Sequence, residues 1–185
     1  MIPKINSSDV QKYLFNVKVN TCTVKNDIPA KLIRRFSKYL SEPFSHILNT
    51  QIKRGEYADI WKMENVTPVP KTYPVRLKKE LRKIAIFLNF SKISEKIIAD
   101  LVIEDMKKNL EKHQYGNQKG LSINHYLINM IHQILLALDN NTSQESKAVI
   151  ASLYDWKSAF DKQCPKLGLE SFMKNGVRPA LLYPF

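Results

Sequence analysis

Apolar residues at helical spacing predict two helices in the first third of the chain. Pro29 suits the first turn of a helix, and the next apolar positions follow at helical intervals: Leu32, Ile33, Phe36 and Leu40. The run Ser41-Glu42-Pro43 is expected to interrupt this helix, because proline lacks the amide hydrogen of the helical ladder. A second helix is then predicted to end at Gly55, with apolar positions Phe44, Ile47, Leu48 and Ile52.

The pattern changes in the middle of the chain, where it predicts an antiparallel β-hairpin. Residues 61–71 contain short β-prone stretches broken by Pro68 and Pro70. After a basic loop, the run from Ile84 to Leu88 fits a second strand. The two strands would therefore form an antiparallel pair with a basic tip.

Two helices are predicted after the hairpin. In the first, Ile93, Ile97 and Leu101 recur at every fourth position. The second runs from about Ile123 to Leu138 and is apolar around most of its circumference. We therefore expect this second helix to be buried on two sides.

A strand and a further helix are predicted near the end of the sequence. The apolar run from Ala148 to Tyr154 fits a buried strand that presents Asp155 at its C-terminal end. The helix after it is expected to be disturbed at Pro165 and Gly168 and to finish near Asn175-Gly176. Together with the hairpin, these elements predict an α+β fold.

Charge changes the picture, because the sequence has 29 Lys and Arg residues against 17 Asp and Glu, a net charge of +12. Most of the excess lies before residue 113, where 22 basic and 12 acidic side chains give +10. Such an excess is typical of proteins that bind a polyanion, since each neutralised phosphate releases counterions. The alternative is a basic protein without such a partner. An anionic membrane fits less well, because no segment combines a long apolar face with a lysine-rich one.

Cysteine and histidine positions do not predict a metal centre. Cys22 and Cys164 are far apart and match no zinc spacing, so we expect reduced thiols in an intracellular protein. The four histidines form no ligand cluster in the sequence: His46, His113, His125 and His132. The N-terminus lacks the apolar core of a signal peptide, and no apolar run reaches the length of a membrane span.

The segment Tyr154-Asp155-Trp156-Lys157-Ser158-Ala159-Phe160-Asp161 is the most informative for chemistry. An apolar strand that ends in a carboxylate holds a hard oxygen ligand with little freedom, which suits a divalent metal ion. Polymerases transfer phosphoryl groups with two such ions. The alternative is that Asp155 caps the helix that follows.

This segment resembles the first palm motif of reverse transcriptases from metazoan non-LTR retrotransposons, in which Asp and three residues precede Ala-Phe-Asp. Further segments resemble motifs of the same family in the same order. Trp61-Lys62 with Val66 to Lys71 resembles the first fingers motif, and Leu81 to Ala85 with Ser91-Lys92 and Glu95 resembles the second. The remaining matches are Ile47-Leu48-Asn49, Gln114-Tyr115-Gly116 and Phe172 to Pro179.

The resemblance implies roles for four residues. Asp155 would be the catalytic residue that binds Mg²⁺, and Phe160 would lie under the sugar of a deoxynucleotide triphosphate. Lys71 and Arg82 would bind the triphosphate, Arg by a two-pronged contact and Lys as a compact charge. The alternatives are core packing for Phe160 and a solvated basic loop for the two cations. Asp161 is expected to be structural.

The resemblance also implies a partial polymerase right hand. Residues 1–28 would be an N-terminal extension, 29–145 a fingers-like region with helices and a β-hairpin, and 146–185 the first strand and helix of the palm. The thumb and the rest of the palm, with its Tyr-x-Asp-Asp hairpin, are not in the sequence, so the chain alone is expected to lack polymerase activity. Two departures from the family pattern are Lys83, where proline is usual, and Asn117, where an apolar residue is common.

The partners that the resemblance implies are an RNA template, an RNA/DNA hybrid and deoxynucleotide triphosphates. Two alternatives stay open: a non-catalytic nucleic-acid-binding module derived from a retrotransposon, and a fragment that does not fold stably.

Overall fold

The computed structural model describes residues 2–20, 22–116, 118–139, 148–156 and 159–182. These form two compact units, one of residues 1–107 with 171–185 and one of residues 108–170. The described residues combine helices with a single two-stranded antiparallel sheet, which is compatible with the predicted α+β class. The functional divisions after residues 28 and 145 stay a prediction.

Three helices open the first unit: α1 (Ser7–Phe15), α2 (Ala30–Arg35) and α3 (Ser37–Arg54). The end at Gly55 is confirmed, because this residue has the left-handed conformation (φ 68°) that glycine adopts without strain. The predicted break at Pro43 is wrong, since Pro43 lies inside α3 and the break falls at Phe36.

The physical reason for this correction is the contact between α1 and α3. Ser41 and Ser45 lie on the buried side of α3, and α1 packs on that helix with Val10 and Leu14 fully buried. The serine hydroxyls donate to the carbonyls of Lys38 and Glu42 within the helix. Burial along the whole of α3 therefore outweighs the hydrogen bond that Pro43 cannot make.

The segment before α1 is joined to α3 by one side chain. The backbone N–H of Ile5 donates to Oδ1 of Asn49, and Nδ2 of Asn49 donates to the carbonyl of Ile5, both at 2.8 Å. Asn49 thus pairs with a peptide unit as a neighbouring strand would. Residues predicted as an extension therefore form part of the first unit.

The predicted hairpin is confirmed. A 3₁₀ turn (Asp59–Lys62) leads into β1 (Glu64–Pro70), which pairs antiparallel with β2 (Leu81–Phe87). In the register, Val69 lies opposite Arg82 and Pro68 opposite Lys83. Residues 64–69 and 82–85 are exposed, so most of the ribbon faces solvent on both sides.

Helix α4 (Asn89–Met106) follows the hairpin, as predicted, and buries Ile93, Ile97 and Ile98. Its N-terminus is capped from a distant part of the chain. The carboxylate of Asp27 accepts the backbone N–H of Asn89 at 2.8 Å, and its other oxygen accepts that of Ile28 at 2.7 Å. A carboxylate is favourable there because the first N–H groups of a helix have no partner within the helix.

The C-terminal part of the first unit contacts the far end of α4. Val177 and Leu181 are buried, and the Nε and backbone N–H of Arg178 both donate to Oδ2 of Asp105, at 2.8 and 3.1 Å. Burial raises the pKa of Asp105, but the hydrogen bonds from Arg178 outweigh it, so the pKa lies below its usual value. A short 3₁₀ turn, Pro179–Leu181, ends the described chain.

The second unit contains α5 (Ile123–Asp139) and α6 (Ala159–Lys162), and α7 (Pro165–Lys174) begins in it. Helix α5 has the predicted extent, but the expected burial on two sides is wrong. Ile123 is 73% exposed and Ile128 is 67% exposed, and no residue of α5 is buried. The described residues of this unit supply no layer that would cover the apolar surface of α5.

The strand predicted at residues 148–154 does not form. Residues 148–156 adopt neither helix nor strand and are exposed, with Leu153 at 88% and Tyr154 at 90%. A strand needs a neighbour for its N–H and C=O groups, and no described segment pairs with this one.

The predicted last helix is present as two pieces. Pro165 starts α7, as proline tolerates a first turn, and Gly168 lies inside it without breaking it. The predicted end at Asn175-Gly176 is confirmed by the positive φ (89°) of Gly176. Among the described residues, no helix has the length and apolar character needed to cross a membrane.

Candidate nucleic-acid interface

The tip of the hairpin concentrates positive charge. Between residues 71 and 83 there are six basic side chains and one acidic side chain, a net +5. All six basic residues are exposed: Lys71, Arg76, Lys78, Lys79, Arg82 and Lys83. None of them forms an ion pair with another described residue. The tip is thus a surface with a net positive charge, which attracts phosphate.

The one acid of the tip, Glu80, is bound by the loop backbone. Its Oε2 accepts the backbone N–H of Arg76 at 2.7 Å and that of Leu77 at 3.2 Å. The N–H of Glu80 in turn donates to the carbonyl of Leu77 at 3.0 Å, closing the 3₁₀ turn Lys78–Glu80. The carboxylate therefore organises the loop and leaves the neighbouring cations free to bind an external anion.

The strand register brings Lys71 and Arg82 to one face of the ribbon. The N–H of Lys71 donates to the carbonyl of Glu80 at 2.7 Å, which extends the ladder one residue beyond the last register pair, Pro70–Leu81. Because side chains alternate between faces, Lys71 lies on the same face as Val69, two residues before it, and is the diagonal neighbour of Arg82 across the ribbon. Lys83 lies on the opposite face, with Pro68. The two cations that the family resemblance singles out are thus diagonal neighbours on one face of the ribbon.

An aromatic cluster packs where the hairpin joins the helices. The ring of Trp61, 8% exposed, lies 5.7 Å from the rings of Phe44 and Tyr57, both in edge-on geometry. Phe44 also packs against Phe90, with ring centres 4.9 Å apart. This arrangement joins α3, the 3₁₀ turn before β1 and the start of α4. The two strands of the ribbon are therefore anchored at their base by the same aromatic core.

Ser91 connects two of the segments that resemble family motifs. It is fully buried, and its hydroxyl donates to the carbonyl of Trp61 at 3.1 Å. The hydroxyl oxygen of Tyr57 lies 3.2 Å from Oγ of Ser91, and Oε1 of Glu95 lies 3.4 Å from the same Oγ atom. The Ser91 hydroxyl is thus within hydrogen-bonding distance of three groups: the Trp61 carbonyl, the Tyr57 hydroxyl and the Glu95 carboxylate. The serine thus ties the base of the hairpin to α4.

Glu95 makes the stability of this junction depend on pH. Burial raises the pKa of its carboxyl, and contacts with Ser91 and Lys92 offset only part of that rise. The folded chain therefore binds this proton more tightly than the unfolded chain. The resulting stabilisation is complete below the unfolded pKa and is lost as pH rises through the folded value.

We predict that Glu95→Gln is at least as stable as the wild type at neutral pH and shows a weaker decline in stability as pH rises. The amide keeps the shape of the side chain and has no charge to desolvate. Urea unfolding followed by circular dichroism, below about pH 4 and at neutral pH, measures this difference. Glu42→Gln, at an exposed position on α3, is the control. A lower neutral-pH stability for Glu95→Gln alone would contradict the prediction.

Asp155 and Phe160 belong to the second unit, whereas Lys71 and Arg82 belong to the first. Asp155 is exposed in the irregular segment 148–156, and the next described helix is α6. Asp155 is thus not at the end of a strand. Phe160 lies in α6, but its side chain, like that of Asp161 and all of Asn117, is outside the described part of the structure.

The described residues do not fit a complete Mg²⁺ site. No group of three His, Cys, Asp or Glu side chains that could hold a metal ion occurs among them. Two-ion chemistry needs several carboxylates around both ions, and Asp155 supplies one. The described cations of the hairpin can therefore attract anions, and the described residues do not assemble a metal centre.

Two contributors to the interface were not predicted. The sequence offers one signal for Glu80, because a carboxylate three residues after Leu77 has the spacing that closes a turn. Tyr57 follows the helix-ending Gly55, and nothing in the local sequence indicates its contact with Ser91. No protein-family model matches this chain, and no curated protein sequence matches it either.

Proposed function

We propose that this chain is the fingers and first palm segment of a reverse transcriptase domain from a metazoan non-LTR retrotransposon, and that its hairpin binds phosphate groups of nucleic acid. The observation that carries the proposal is the position of Lys71 and Arg82 on one face of an exposed ribbon, where neither forms an ion pair with a described residue. The motif order in the sequence supports the family, and the charge supports the ligand.

The geometry suits a polyanion that passes along the ribbon. Arg82 can donate two parallel hydrogen bonds to one phosphate, and Lys71 adds a compact charge beside it. The lysines of the tip and Arg76 extend the cationic surface beyond that pair. The buried Trp61 junction holds the ribbon in place, so less freedom is lost when a ligand binds. In the complete domain the same pair would bind the triphosphate of a deoxynucleotide.

A second candidate is a non-catalytic nucleic-acid-binding module derived from such an element. The observation that favours it is the exposed position of Asp155 in a segment without strand or helix. Mg²⁺, deoxynucleotide triphosphates and primer extension would then belong to a complete domain with its Tyr-x-Asp-Asp segment. We propose an intracellular location for both candidates, since Cys22 and Cys164 are free, exposed thiols.

Binding and primer extension by the purified 185-residue chain test the proposal. Fluorescence anisotropy should show binding to a short RNA and to an RNA/DNA hybrid that weakens steeply as salt rises. If all six cations of the tip reach a phosphate of a single strand, the slope of log K against log salt is about −4. Absence of binding, or binding insensitive to salt, would refute the phosphate interface.

Primer extension with Mg²⁺ separates the two candidates from a working polymerase. We expect no template-dependent incorporation by the chain alone, because the second group of metal-binding aspartates is not in its sequence. Incorporation would show that this expectation is wrong. A Tyr-x-Asp-Asp segment encoded downstream of residue 185 would support the family proposal.

A further inference from the structure

An exposed aromatic ring lies within the cationic loop. The side chain of Tyr73 is 84% exposed, between Lys71 and Arg76 in the sequence. Its ring makes no aromatic or cation–π contact with another described residue. A phenol ring has an apolar body that gains from burial, and this ring is exposed for a ligand to cover.

The loop that carries this ring is internally hydrogen-bonded. Lys71 is joined to the other side of the loop through its N–H, which donates to the carbonyl of Glu80, and through Nζ, which donates to the carbonyl of Lys79 at 3.2 Å. The carboxylate of Glu80 accepts two backbone N–H groups from residues 76 and 77. Tyr73 is therefore presented from a closed loop, with cations on both sides of it.

We propose that Tyr73 stacks on an unpaired base of single-stranded nucleic acid while the neighbouring cations bind its phosphates. The inference rests on the proposed function and names the form of nucleic acid that the hairpin prefers. Interleaved cations and aromatic rings are the elements of single-strand recognition, because every base has a face that can stack. Inside a duplex the bases are already stacked on each other, so an internal base offers no free face on which the tyrosine ring could stack.

Two contributions to the affinity for a single strand can be separated: phosphate contacts and base stacking. Phosphate contacts depend on salt and exist equally with a strand that lacks bases. Stacking depends on bases and little on salt. An oligonucleotide made of abasic sites therefore keeps the first contribution and removes the second.

The test compares the wild type, Tyr73→Ala and Tyr73→Phe by fluorescence anisotropy on three probes: a single-stranded RNA, an abasic strand of the same length and a blunt duplex. We expect Tyr73→Ala to bind the single strand about tenfold more weakly, with an unchanged salt slope. Its binding to the abasic strand and the duplex should equal that of the wild type. Tyr73→Phe should keep wild-type affinity, because it retains the ring.

Tyr39→Ala is the matched control, since Tyr39 is 75% exposed on α3 and lies outside the hairpin. It should bind all three probes as the wild type does. Equal single-strand binding by Tyr73→Ala and wild type, or an equal loss on the abasic strand, would overturn the stacking inference and leave the phosphate interface standing. Failure of the wild type to bind any probe would instead overturn both. Unchanged circular dichroism of Tyr73→Ala excludes unfolding as the cause of a loss.

Discussion

Replacing Lys71 and Arg82 together with glutamine is expected to weaken binding to single-stranded RNA by about 25-fold near 0.1 M salt. Each lost phosphate contact removes about 0.7 from the salt slope, which corresponds to about fivefold in affinity at that salt concentration. The two losses should add on the logarithmic scale if the cations bind separate phosphates. Anisotropy titrations over a range of salt measure both the affinity and the slope.

The matched control is Lys38→Gln with Lys53→Gln. Both lysines are exposed on α3, so this variant loses the same net charge away from the hairpin. We expect it to change affinity several-fold less than the hairpin variant, since distant exposed charges are screened within about 10 Å. Equal effects from the two double variants would mean that binding follows net charge alone. The hairpin would then not be a specific RNA-binding site.

The largest loss of stability is expected for Trp61→Ala, about 3–5 kcal/mol in the free energy of unfolding. The substitution removes a ring, 8% exposed, from between Phe44 and Tyr57 and leaves a cavity where β1 leaves the helical core. Urea unfolding followed by far-ultraviolet circular dichroism measures the loss. We also expect weaker RNA binding in the folded population, because the ribbon loses its support.

Ile60→Ala is the control for this second variant. Ile60 is 58% exposed next to Trp61, so its truncation removes little buried surface and should change stability by less than about 1 kcal/mol. Similar losses in both variants would indicate that this turn contributes through its backbone and not through the aromatic cluster. Trp61→Phe should fall between the two, since it keeps part of the ring contacts.

Local sequence patterns correctly predicted the structural elements that neighbouring residues determine. The hairpin followed from β-prone residues on either side of a basic loop, and the ends of α3 and α7 followed from Gly55 and Gly176. The break between α2 and α3 was misplaced because the interruption by Pro43 competes with packing on α1. That packing joins two segments distant in the sequence, and Ser41 and Ser45 are buried on α3, the helix that α1 contacts.

The prediction of a strand at residues 148–154 failed for a related reason. An apolar, β-prone run satisfies the local requirement for a strand, but pairing requires a neighbour that a local pattern cannot supply. The same holds for α5, whose apolar circumference was interpreted as burial on two sides. Nothing among the described residues of its unit covers it.

The charge of the candidate site was predictable, and its arrangement was not. Counting residues 71–83 is enough to predict a phosphate-binding tip. The shared face of Lys71 and Arg82 needs the strand register, and the capture of Glu80 by the loop backbone needs coordinates. Asp155 was predicted from its resemblance to a motif, and its catalytic role stays a prediction.

The contacts of the first helix bear on where this module can be cut and joined during evolution. Val10 and Leu14 are completely buried, and the hydroxyl of Tyr13 donates to Asp100 on α4 at 2.7 Å. A recombination junction at residue 28 would strip these side chains from their neighbours and leave apolar surface bare on α3. Exchange of an upstream domain is therefore compatible with an intact fold only when the crossover lies ahead of Ile5, whose peptide group already pairs with Asn49.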